Sequence, residues 1–144
     1  MPYSDAIAQR VETISQSALI NGVTPLAGRV LLAAIFLLSG ISKISDPAGT
    51  IGYINMVGLP FPSLSYGAAV VTEVIGSFAL ILGFQTRVVA LILAFFSVAT
   101  AVTFHNNLGD LNQFIHFFKN IAMAGGLLQV VAFGAGRYSL DARR

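Results

Sequence analysis

Hydrophobic positions along the chain fall into four long runs, at about Leu26 to Ile44, Leu64 to Phe84, Val88 to Phe104 and Phe114 to Phe133. Each is close to the twenty or so residues that cross a ~30 Å hydrocarbon layer as a helix. The third run is the shortest. The connection from Gln85 to Arg87 is a tight turn, and His105 to Gln113 is also short, so the second, third and fourth helices are expected to be antiparallel neighbours. The pattern predicts an all-α membrane protein, a four-transmembrane-helix up-and-down bundle over residues 26–133.

Two further segments are apolar without being spans. The N-terminal stretch "SDAIAQRVETISQSALI" begins with a Ser/Asp cap signal and places Ile7, Val11, Ile14 and Ala18 at helical spacing, with Arg10 and Glu12 elsewhere on the wheel. Within residues 1–25 it reads as an amphipathic interfacial helix, too polar for a secretory signal. The Gly- and Pro-rich stretch "SDPAGTIGYINMVGLPFPS" carries Tyr53, Ile54, Met56 and Phe61, and is expected to form a short interfacial helix or lid. Residues 134–144 are expected to form a cytoplasmic C-terminal tail.

Composition agrees with the membrane reading: mean hydropathy is +0.80, 56% of residues are hydrophobic and 10% are charged, against roughly a quarter charged in soluble domains. Arg10, Arg29, Arg87, Arg137, Arg143 and Arg144 lie on the side of the termini and the Gln85 turn, which predicts that both termini are cytoplasmic. The chain has no cysteine, which excludes disulfides, thiolate metal sites and thiol relays, and with them the four-helix quinone enzymes that make disulfides. A net charge of +2, scattered, gives no basis for nucleic-acid binding. So small a chain leaves much apolar surface for lipid or a neighbour, and a homo-oligomer or partner protein is expected beside the bilayer.

The polar residues inside the spans are the candidate chemistry. At 1.5 Å of rise per residue, Glu73 lies roughly 14 Å below Leu64, near the midplane, and Lys119 about 8 Å below Phe114. Ser39 and Lys43 share one face of the first span, and His116, Lys119 and Asn120 one face of the fourth. A lone charge at mid-span costs about 2.5 to 3.5 kcal/mol, so each needs a partner. The economical arrangement points both lysines toward Glu73, with His116 and Asn120 completing the hydrogen bonds. The plainer alternatives are that Lys43 snorkels to water, that Asn120 merely cross-links helices, and that Gly76, Gly125 and Gly126 are close-packing points.

The stretches "GRVLLAAIFLLSGISKISD", "VTEVIGSFALILGFQTR", "IHFFKNIAMAGGLL" and "GRYSLD", in that order from about Gly28 to Asp141, resemble the DoxX family of small bacterial membrane proteins. The resemblance implies a four-helix inner-membrane protein, often found beside quinone-linked oxidoreductases or in responses to oxidants and reactive quinones. It carries the family's polar positions onto Ser39, Gly40 and Lys43, then Glu73, then His116, Lys119 and Asn120. These define a candidate ligand site with no catalytic residue assigned.

Two functions follow. In the first, His116 or Lys119 donates to a quinone carbonyl and Glu73 exchanges the accompanying proton, while a partner protein carries the electrons. In the second, the chain is a non-catalytic assembly subunit or small-solute carrier whose polar cluster fixes helix packing. His105 and His116 at comparable depth also suit a haem clamped by two imidazoles, but two histidines are a thin basis and haem is not expected. No other metal site has enough ligands.

Overall fold

The computed structural model describes residues 2–15 and 17–144, so Met1 and Gln16, which fall in the expected N-terminal segment, lie outside the described residues. Among the described residues six α-helices follow in order: α1 (Pro2–Ser15), α2 (Thr24–Ser45), α3 (Pro47–Met56), α4 (Pro62–Leu82), α5 (Thr86–Phe104) and α6 (Leu111–Phe133). Among the described residues there is no strand. The four long helices contain 22, 21, 19 and 23 residues, about 28 to 35 Å at 1.5 Å per residue, which suffices to cross a bilayer. This is an all-α membrane protein with four spans. α1 is helical as expected, and Ile7, Val11 and Ile14 remain exposed along it.

Helix boundaries follow from local chemistry. Pro25 starts α2, and Asp46 both ends α2 and caps α3, its Oδ1 accepting the Gly49 N–H at 2.9 Å with Pro47 in the first turn. Gly83 (φ +69°) ends α4 in the left-handed region, where a side chain would be strained and a Cβ would lie 2.4 Å from that of Ser139. α6 is capped by Asp110, whose Oδ1 accepts the Gln113 N–H at 2.9 Å. α5 takes its cap from the far end of the chain: Asp141 accepts the Gln85 and Thr86 N–H groups, both at 2.8 Å.

The helices pack in the ring α2–α4–α5–α6, with α2 closest against α4 and α5 closest against α6. Between these pairs the core is built of Ala33, Phe36, Leu80, Ala90, Leu93, Ala94, Ala124 and Leu127. The many alanines let backbones approach where lipid gives little hydrophobic incentive for association. Leu31, Phe95 and Phe133 point outward and form the lipid face. Gly76 and Gly126 do sit at close contacts, against Leu93 and Leu32, whereas an added Cβ on Gly125 would meet open space, so that residue is no packing point.

The bundle end bearing both termini is pinned by Arg29, which is 1% exposed. Its Nη1 donates to the carbonyls of Leu80 and Ile81, each at 2.8 Å, and its Nη2 to Tyr138 O. The first two carbonyls are in the last turn of α4, where backbone acceptors run short of helical donors, and Leu80 O otherwise takes only the Gly83 N–H at 3.3 Å. Arg29 therefore closes α4 and ties down the tail, which a residue read only as a flanking positive charge would not do. At the opposite end, α3 lies over the bundle with Ile54 buried and the Tyr53 ring 5.5 Å from that of Phe104.

Candidate functional site

Gly40 sets the site by letting α2 approach α4. A Cβ built there would lie 2.7 Å from Val74 Cγ2 and 3.3 Å from Glu73 Cβ. With α2 that near, the neighbours of Gly40 on the helix face reach across. Lys43 Nζ lies 2.9 Å from each carboxylate oxygen of Glu73. The Ser39 hydroxyl donates to Glu73 Oε1 at 3.0 Å and accepts from Lys43 Nζ at 2.8 Å. The Glu73 side chain is 4% exposed and that of Lys43 25%, so the carboxylate is inside and the ammonium lies at the margin. Tyr66 OH donates to Lys43 O at 3.3 Å, a second link between the same helices. Ser77 donates to Glu73 O within α4.

On the facing pair, α6 carries its polar face differently from expectation. Lys119 makes no ion pair with Glu73 among the described residues, and its Nζ is instead 3.0 Å from His116 Nδ1. Asn120 is buried and donates to His116 O at 2.8 Å on its own helix, so it too bypasses the acid. The physical reason is local: three- and four-residue spacings let α6 satisfy its polar groups with one another, while Ser39 and Lys43 already surround Glu73. The His116 ring stacks on His105, at the end of α5, with centroids 5.0 Å apart and planes 22° apart. His105 Nδ1 is in turn 2.9 Å from Gln113 Oε1.

Both polar groups face one cavity of about 820 Å³, lined by Ser39, Lys43, Glu73, His116, Lys119 and Asn120. The volume is in the range of sites that hold small organic ligands. Phe36, Phe96, Phe104 and Met123 supply apolar wall, and Thr50 and Tyr53 of α3 contribute from the lid. The arrangement therefore offers an apolar slot with an ion pair from α2 and α4 and an imidazole–ammonium group from α5 and α6. Among the described residues no group of three or more metal-ligating side chains occurs. Gln113 escaped sequence reasoning, and Tyr53 was expected in a lid but not in the site. The first belongs to the site only because a short loop folds α6 back on α5, and the second because α3 turns inward.

A four-helix membrane protein with a polar cavity at one end of its bundle is the class these features define. The chain belongs to the DoxX family, whose family model matches residues 24–106. The match spans α2 to α5, so the imidazole–ammonium wall of α6 and the "GRYSLD" stretch lie beyond it. Over longer stretches the chain is 34% identical, over 122 residues, to Inner membrane protein YqjF of Escherichia coli (strain K12), covering 85% of this chain and 92% of that protein. It is 36% identical over 123 residues to Inner membrane protein YphA of the same organism, covering 82% and 88%. It is 26% identical over 154 residues to ER-derived vesicles protein ERV29 of Saccharomyces cerevisiae, covering 99% of this chain and 43% of that one. No solved structure matches the chain.

Proposed function

We propose that this protein binds a quinone-type ring as a subunit of, or accessory to, a quinone-linked redox or oxidant-detoxification system in the bacterial inner membrane, with both termini cytoplasmic. The single observation that carries the reading is the apolar cavity of about 820 Å³ into which Glu73, Lys43, His116 and Lys119 converge from different helices. A flat, mostly apolar ring with polar groups at its edges suits apolar walls with polar groups at separate points. A quinone, when bound, supplies two-electron, two-proton chemistry. The chain's own residues bind and orient it: His116 or Lys119 donates to a ring oxygen, and Glu73 holds the exchangeable proton against Lys43 and Ser39. The electrons come from a partner protein. The names of the two bacterial relatives support the inner-membrane setting. The exposed stripe of Ile7, Val11 and Ile14 would lay α1 on the membrane surface.

A second reading rests on the fact that Glu73 Oε1 accepts from both Ser39 and Lys43, with Oε2 facing Lys43 only as an ion pair. In that reading the cluster fixes helix packing in an assembly subunit or small-solute carrier. The two separate in a mass-spectrometric assay of quinone retained through mild-detergent purification, comparing the natural protein with Lys119→Ala at matched folding. Near-stoichiometric quinone in the natural protein, lost in the variant, is the expected outcome. Quinone absent from both samples would favour the packing reading.

A further inference from the structure

The stacked pair His105 and His116 has both of its Nδ1 atoms engaged, and the partners determine the protons. Lys119 Nζ lies 3.0 Å from His116 Nδ1. An ammonium has only N–H donors, so His116 Nδ1 accepts, and the proton of the neutral ring is on Nε2. His105 Nδ1 lies 2.9 Å from Gln113 Oε1. An amide oxygen only accepts, so His105 Nδ1 carries the proton and Nε2 carries the lone pair. Neither Nε2 has a hydrogen-bond partner among the described residues. Both rings are half-buried in the cavity wall, 5.0 Å apart and nearly parallel.

We propose that His105 and His116 form a donor–acceptor pair that selects an aromatic hydroxyl, and hence the reduced, hydroquinone form of the ligand class assigned to this cavity. The inference rests on the quinone-type reading of that site and sharpens it. A phenolic O–H donates to His105 Nε2 while its oxygen accepts from His116 Nε2–H. A quinone carbonyl or an aryl ether satisfies only the second contact and leaves the lone pair of His105 unmet, a loss that lowers affinity measurably. Lys119 and Gln113 hold the pair through its two Nδ1 atoms and act as positioning residues: each holds one imidazole in the tautomer the pair requires.

The test is equilibrium binding of three probes under anaerobic conditions: durohydroquinone, duroquinone and the dimethyl ether of durohydroquinone. The natural protein in mild detergent should bind durohydroquinone about tenfold more tightly than the ether, the discrimination expected for one hydrogen bond. His105→Phe keeps a ring stacked on His116 but removes the acceptor, and it should reduce that ratio to about twofold or less by weakening durohydroquinone binding. Gln113→Glu keeps an acceptor opposite His105 Nδ1 and should preserve the ratio, which a variant that only perturbed folding would not do. If duroquinone binds but durohydroquinone is no tighter than its ether, or if His105→Phe leaves the ratio intact, the donor–acceptor pair is overturned and quinone binding stands. Binding of none of the three overturns the quinone-type reading itself, and the pair with it.

Discussion

Gly40 and Glu73 face each other across the α2–α4 contact so closely that a methyl group on the glycine would come within 3.3 Å of Glu73 Cβ and 2.7 Å of Val74 Cγ2. The missing side chain is what brings Ser39 and Lys43 within hydrogen-bonding distance of the buried acid. Gly40→Ala should therefore destabilise the fold by about 1 to 3 kcal/mol through overpacking. Val74→Ala, which removes the nearest obstacle, should recover part of that loss in the double variant. Unfolding in graded denaturing detergent reads both effects, and equal stability of Gly40→Ala and the natural protein would show that α2 and α4 are not in tight register.

Lys43 and Glu73 form one electrostatic unit, and their substitutions should not add. Lys43→Met strands a carboxylate that is 4% exposed, at a cost of about 2.5 to 3.5 kcal/mol, that of a lone mid-span charge. Lys43→Met combined with Glu73→Gln should be more stable than Lys43→Met alone, because the second change removes the stranded charge. A double-mutant cycle measures the coupling directly. Additive losses would mean that the two groups do not sense each other.

Arg29 makes three hydrogen bonds to carbonyls, of which that of Leu80 also accepts the Gly83 N–H at 3.3 Å. Arg29→Met removes all three bonds and leaves Ile81 O and Tyr138 O without their donor, and it should cost about 3 kcal/mol or more, since hydrogen bonds to charged groups are worth about 1.5 to 3 kcal/mol each. Arg29→Lys, a point charge without the planar fork, should fall between. Because Tyr138 loses its anchor, trypsin should cleave after Arg137 faster in both variants than in the natural protein.

Asp141 makes the stability of the arginine-bearing end depend on acid. Partial burial pushes its carboxyl up, but the nearby Thr86 hydroxyl, the Thr86 and Gln85 N–H groups and the Arg144 charge outweigh that and hold it below the ordinary value. The hydroxyl falls short of a hydrogen bond by strict geometry, so the two N–H groups are the firm partners. A depressed folded value means that the contribution is fully present above the unfolded pKa of about 3.9 and is lost as pH falls through the folded value. Asp141→Asn should thus lower the melting temperature at pH 7, by the equivalent of about 1 kcal/mol for a helix cap, and the difference should close only in stronger acid, below about pH 4. A difference that disappears already near pH 6 would contradict this.

The four spans were legible in the sequence because runs of apolar residues as long as a bilayer is thick have few other uses, and the six polar residues of the site were legible because each is costly in lipid. The pairing was only half legible. Glu73 demanded a cation, but Lys43 and Lys119 were equally near in depth, and periodicity does not say that Lys119 finds His116 on its own helix or that Gly40 gives Lys43 the shorter path. Arg29 was hidden for a different reason. It sits in the right place for a flanking positive charge, and its inward turn depends on where α4 ends and where the tail returns, neither of which is a local property of its neighbours. His105 stood out as a histidine near the depth of His116, but its hydrogen bond to Gln113 depends on the fold of the loop that joins α5 to α6.

The central claim, that the cavity is where a quinone-type ring binds, is tested most directly by photolabelling the natural protein in membranes with an azidoquinone and mapping the modified peptides. The account predicts labelling concentrated on Phe36 to Lys43 and Phe96 to Phe104, the two stretches that wall the cavity from opposite sides, and competed away by excess unmodified quinone. Labelling spread over the lipid-facing residues Leu31, Phe95 and Phe133, and insensitive to competition, would contradict it.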